Sequence, residues 1–258
     1  MPCSVRLITT LIVPVSFAFL VGCGSPQPPT ESAATPAATP AGQAASAPDR
    51  AKHMDQHFAE VALVEQAVIR GDLEAAQGPA RWIYEHQEIG GFPEAPHLAL
   101  MKSAAKAVAE AAELNRAAEA TGSMLVSCGT CHTEVGARPK MPDAPEPPAG
   151  SGTAPHMLEH QWAVDMMERG LVGPSDELWT KGAERLKAAP LTAKELPKDP
   201  KLTKEIIAFE ASVHALAEKA RQTPDPGGRA HVYGEILSSC GHCHSLHGQV
   251  WGPGVPKG

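Results

Sequence analysis

The 258-residue chain is 43% hydrophobic but only 4% aromatic, a composition that fits two modest helical cores and disfavours one large α/β enzyme. Ala, Leu, Glu and Lys dominate its periodic segments, so the expected class is all-α. With 29 acidic against 22 basic residues and a net charge of −7, the chain is a poor nucleic-acid binder, and an electrostatically steered partner would present a basic patch.

The N-terminus reads as a targeting segment. Arg6 gives a short positive region, and Leu7 to Val21 is an apolar stretch too short to persist as a bilayer-spanning helix. Leu20-Val21-Gly22-Cys23 resembles the bacterial lipobox. That resemblance implies removal of residues 1–22 and acylation of Cys23, with Gly24 and Ser25 pointing to the outer membrane, facing the periplasm. Each buried acyl methylene is worth about 0.8 kcal/mol, so a multi-chain anchor is effectively permanent. Loss of Arg6 would leave the mature chain one unit more acidic. Residues 23–50 are rich in Pro, Ala and Thr with almost no large apolar side chain, and read as a tether.

Two similar segments follow, residues 51–138 and 154–258, separated by a Pro/Gly-rich linker over 139–153. His53-Met54-x-x-His57 matches His156-Met157-x-x-His160, and Gly78-x-x-Arg81 matches Gly182-x-x-Arg185. Further on, Gly122-x-Met124-Leu125-x-Ser127-Cys128-Gly matches Gly234-x-Ile236-Leu237-x-Ser239-Cys240-Gly. The order is the same in both, so the chain is an internal duplication. Offsets grow from 103 to 104 to 112, which places the largest insertion around Pro190 to Pro200. Periodicity and breakers predict four helices per copy: Lys52 to Arg70, Leu73 to Gln87, His97 to Ala120 and Ser123 to Glu134, then Pro155 to Arg169, Ser175 to Ala188, Lys201 to Gln222 and Arg229 to Ser245. Ser175 is a candidate N-cap. Short connections favour two tandem antiparallel four-helix bundles.

Six cysteines are present. Cys3 lies in the leader and Cys23 at the anchor, so the other four all belong to Cys128-Gly-Thr-Cys131-His132 and Cys240-Gly-His-Cys243-His244. On a helix, positions i, i+3 and i+4 share one face. Two thiols can then form thioethers with haem vinyl groups while the imidazole reaches the iron, which gives two covalently bound haem c groups on Cys128, Cys131, His132, Cys240, Cys243 and His244. A redox CxxC belongs near a βαβ pattern, absent here, and a shared zinc site would need the two copies to meet. A CxxCH in the last helix of an antiparallel four-helix bundle resembles the cytochrome c′ group. The resemblance implies electron transfer or gas binding, with iron held by His132 and His244.

The sixth iron ligand decides between those roles. His57 and His160 each sit in an apolar stripe, with Met54, Val61, Val64 and Val68 around the first and Met157, Val164, Met167 and Leu171 around the second. They are the candidate distal ligands, Met54 and Met157 the alternates. His53 and His156 recur one turn earlier as ligands, hydrogen-bond partners or solvated residues. Arg81 and Arg185 are candidates for haem propionates or a solvated face, and Trp82, Trp162 and Trp179 for core or interface. His86, His97, His214, His231, His242 and His247 have no counterpart in the other copy. The expected function is single-electron transfer between redox partner proteins, a carrier rather than an enzyme. A five-coordinate gas-binding protein is the alternative, and a haem peroxidase or reductase a weaker third.

Overall fold

The computed structural model describes residues 46–88, 96–141, 145–147, 150–188, 191 and 196–247. Cys23, the leader and nearly all of the tether lie outside them. The described residues form eight α-helices and no strand: α1 Ala47–Ile69, α2 Leu73–Glu85, α3 Pro96–Ala109, α4 Leu114–Glu134, α5 Thr153–Val172, α6 Asp176–Ala188, α7 Pro200–Arg221 and α8 Pro226–His247. The all-α class follows.

Local chemistry sets most of the helix starts. Ser46 accepts a hydrogen bond from Asp49 N to cap α1. Asp72 accepts from Ala75 N at the start of α2, Ser175 from Leu178 N at the start of α6, and Asp199 from Lys201 N and Leu202 N at the start of α7. Gly71, at φ +73°, turns the chain out of α1, a left-handed conformation that suits glycine.

Three boundaries differ most from the sequence expectation, and the first is the start of α1 at Ala47, which takes the last four residues of the expected tether into the helix. Helix α3 stops at Ala109, and α4 runs without interruption through Gly122. Gly122 does not break the helix but admits a neighbour: a Cβ there would collide with Ala230 O of α8. The insertion of the second copy also lies inside a helix rather than before it. The 22-residue α7 begins 104 positions after the 14-residue α3 and ends 112 positions after it.

Helices consecutive within each copy pack on one another, and α4 and α8 join the copies as the most extensive helix pair. They run antiparallel, with Gly122 against Ala230 and Gly234 against Ala118 and Glu119. Since 118 and 122 match 230 and 234 at the motif offset of 112, the contact has an internal two-fold symmetry. Helix α1 also packs on α8, and α5 on α4. The core between them buries Met124, Leu125, Met167, Trp179, Tyr233, Ile236 and Leu237. Trp179 donates its indole N–H to Ala220 O at 3.0 Å, which satisfies its one polar atom. No described helix is long and apolar enough to cross a membrane.

Gly122→Ala therefore forces α4 and α8 apart. The expected cost is about 1–3 kcal/mol, typical of overpacking. It should appear in urea unfolding as a lower midpoint with an unchanged slope.

Candidate functional site

Both CxxCH motifs occupy the C-terminal turns of long helices, α4 and α8. Their four cysteines are free thiols. Burial, with the neighbouring thiol of the same motif adding, pushes Cys128 and Cys240 up to about 12. Burial also raises Cys131, and raises Cys243 to about 11.

The two motif imidazoles are held in the same way. His132 Nδ1 donates to Val172 O at 2.7 Å, and His244 Nδ1 donates to Ile69 O at 2.6 Å. Val172 and Ile69 are the last residues of α5 and α1, so each histidine satisfies a carbonyl that its own helix leaves without a partner. Each also comes from the opposite copy. This approach depends on the glycine after the first cysteine: a Cβ on Gly129 would strike Leu171 O, and one on Gly241 would strike Val68 O. With Nδ1 carrying the proton, Nε2 is left with a lone pair to offer.

A second group of histidines gathers at the N-terminal halves of α1 and α5. His53 Nε2 lies 2.7 Å from Glu88, which is also paired with Lys102 at 3.3 Å. His57, one turn on, has both ring nitrogens buried with no hydrogen-bond partner among the described residues. Its ring centroid is 4.5 Å from that of His53, 5.5 Å from His86 and 5.6 Å from Trp82, which itself stacks on His86 at 4.0 Å. Burial lowers the His57 pKa to about 4 against the opposing pull of Glu88. The ring is neutral at physiological pH.

The second copy repeats the pattern with different neighbours. His156 Nε2 lies 3.0 Å from Glu210 Oε1, His214 3.3 Å and His160 3.9 Å. His160 Nε2 has no hydrogen-bond partner, and burial, with His156 adding, lowers its pKa to about 3. Side-chain donor atoms of His53, His57 and His86 lie within 4.8 Å of one another, as do those of His156, His160 and Glu210.

The second cluster sits at the motif end of its own copy. His160 is close enough to His244, and Glu210 to Cys243, for their charges to be felt. In the first copy His97 at the start of α3 reaches Glu134, two residues beyond His132, at 2.7 Å. His53 and His156 are the closer carboxylate partners, whereas His57 has no hydrogen-bond partner among the described residues and His160 lies 3.9 Å from Glu210. Met54 and Met157 are half-buried and outside the core. Arg185 pairs with Glu159 at 3.1 Å, and Arg81 is exposed. Trp162 and Trp179 are core residues, whereas Trp82 belongs to the histidine cluster.

Sequence reasoning missed His86, Glu88 and Glu210 as members of these clusters. None has a repeated counterpart, and the spacing of Glu210 and His214 by one turn was the only local signal. It also missed a buried acid pair. Glu65 of α1 and Glu168 of α5 are 2% and 5% exposed, and each carboxyl lies close enough to the other to affect its ionisation. Desolvation raises Glu65 well above the usual carboxyl range, with Glu168 and Asp165 adding, and raises Glu168 to about 7, with Glu65 opposing and Asp165 adding.

Comparison with known proteins gives no match to a family model, a curated protein or a solved structure.

The acid pair makes stability fall with rising pH, because the folded chain holds a proton there that the unfolded chain releases. Its contribution is complete below the unfolded glutamate value of about 4.3 and is lost as pH rises through the folded value of Glu168, about 7. Glu168→Gln removes that titration. Relative to the unaltered chain, the variant should gain on the order of 2–3 kcal/mol between about pH 5 and about pH 8 in urea unfolding. A difference independent of pH would contradict the assignment.

Proposed function

We propose that the chain is a dihaem c-type cytochrome that carries single electrons between redox partner proteins in the periplasm, anchored to the outer membrane through acylated Cys23. In this reading residues 51–138 and 154–258 are two tandem four-helix units. Each ends in the helix that bears its haem. The observation that carries the reading is the duplicated proximal arrangement: two thiols and an imidazole on one helical face, with Nδ1 tied to a backbone carbonyl so that Nε2 is free.

The side chains present fit such a group. Cys128 and Cys131, and likewise Cys240 and Cys243, are unpaired thiols able to hold it through thioethers. His132 and His244 serve as proximal ligands, and their carbonyl bonds fix the ring orientation and raise the donor strength of Nε2. A bound haem c supplies a reversible one-electron change at its iron. His57 and His160 are buried and neutral, with both nitrogens of His57 and Nε2 of His160 lacking a hydrogen-bond partner among the described residues, and serve as sixth ligands. Burying an unpaired imidazole nitrogen is costly, and a metal bond removes that cost. With His132 and His57, or His244 and His160, both on one iron, no position would remain for a gas or substrate, which favours a carrier over a gas-binding protein or an enzyme. The net charge of −7 suits partners that present basic patches.

Absorption and electron paramagnetic resonance spectra of the haem-loaded chain test the ligand set. Low-spin iron at both sites is expected, with no binding of carbon monoxide after reduction. His57→Ala and His160→Ala should each convert one site to high-spin iron that binds carbon monoxide. Spectra unchanged in both variants would contradict the distal assignment, and a colourless protein would contradict the whole reading.

A further inference from the structure

We infer that Glu65 and Glu168 form a proton-binding site that takes up one solvent proton when an electron enters the molecule and releases it on reoxidation. The inference rests on the electron-carrier reading for its redox half, and on the acid pair alone for the proton.

The geometry of the pair is unusual for two acids. They occupy equivalent positions in the two copies, each eight residues after the inner histidine, His57 or His160. Both are buried, Glu65 Oε2 and Glu168 Oε1 have no hydrogen-bond partner among the described residues, and each carboxyl is near enough to affect the other's ionisation. Two ionised carboxylates so placed repel each other without water to screen them. A single proton held between them removes the repulsion and gives both orphaned oxygens a partner. The other Glu65 oxygen accepts from Tyr233 O–H at 2.9 Å, and the phenol oxygen also lies 3.3 Å from Val164 O.

The surroundings set how the site responds. From α5, Asp165 adds negative charge, while Arg169 favours the ionised form of Glu168. Asp165 is itself held up by burial against Gln161, whose amide donates to it at 2.6 Å. From α8, Tyr233 is buried and kept neutral, its own pKa raised by burial and by these carboxylates. Two motif cysteines complete the set: Cys240 of α8 feels the charge of Glu65, and Cys128 of α4 feels that of Glu168. The pair therefore lies within electrostatic reach of both attachment motifs. Charge added at either end favours protonation of the same two oxygens.

The step balances simply. One electron delivered by the reducing partner to a haem-loaded chain would be matched by one proton passing from solvent to the acid pair, so the interior would gain no net charge. Oxidation returns the electron to the accepting partner and the proton to water.

Two measurements on the full chain test this. Infrared spectroscopy at about pH 6 should show the carbonyl stretch of a buried protonated carboxylic acid that shifts in heavy water and disappears in Glu65→Gln/Glu168→Gln. The paired amides can hydrogen-bond in place of the acids, which preserves packing. No such band in the unaltered chain, or its survival in the double variant, overturns the shared proton. Reduction of the haem-loaded chain in weakly buffered solution with a pH indicator should show proton uptake near neutral pH that the double variant loses. Equal uptake in both, or none in either, overturns the coupling. Tyr233→Phe gives a second check: without the phenol donor, which favours the ionised form of Glu65, the infrared titration should move to higher pH. An unmoved titration overturns the role given to the phenol and to Glu65. If the chain proves to carry no haem, the electron coupling falls with the functional reading, whereas the infrared band still decides whether the pair holds a proton.

Discussion

The reciprocal hydrogen bonds from His132 to Val172 O and from His244 to Ile69 O are the interaction on which the arrangement of this protein depends. A helix ends with carbonyls that have no partner within it. Here the last carbonyls of α1 and α5 are answered by imidazoles from the opposite copy. Neither half of the duplication is therefore complete by itself, and the residues that would hold a metal are oriented by the interface between the halves. The glycines of the two motifs follow from the same constraint, since Gly129 and Gly241 lie where any side chain would meet a backbone carbonyl of α5 or α1.

Burial explains the charge states around the site. The outer histidines, His53 and His156, each face a carboxylate that compensates them. The inner pair are desolvated, so they are neutral. Where two carboxylates share the interior, the same desolvation acts in the other direction and favours the protonated form. One physical cause thus leaves the inner histidines neutral and favours protonation of the two buried acids.

Repetition made the motif residues legible in the sequence. Cys128 to His132, Cys240 to His244 and the four histidines of the two HMxxH segments all recur in the same order. Helix starts with a local chemical cause, such as Ser175, were legible too. Tertiary causes were not. Gly122 resembles a helix breaker in one dimension, whereas in three it is the contact point for α8. His86 and Glu210 reach their clusters only because helices from other parts of the chain bring them there. Glu65 and Glu168 left a usable signal, an acid repeated eight residues after each inner histidine on the apolar side of the helix. A charged side chain is ordinarily assigned to solvent, and only the burial of both acids, with Glu65 bonded to Tyr233 of α8, reveals otherwise.

A direct test of the central claim is the intact mass of the full chain made in a host competent for cytochrome maturation. Two haem masses above the polypeptide, both surviving denaturation, are expected, and replacing Cys128 and Cys131 by Ala should remove one of them. A chain at its polypeptide mass, or one whose added mass is lost on unfolding, contradicts covalent attachment at these motifs.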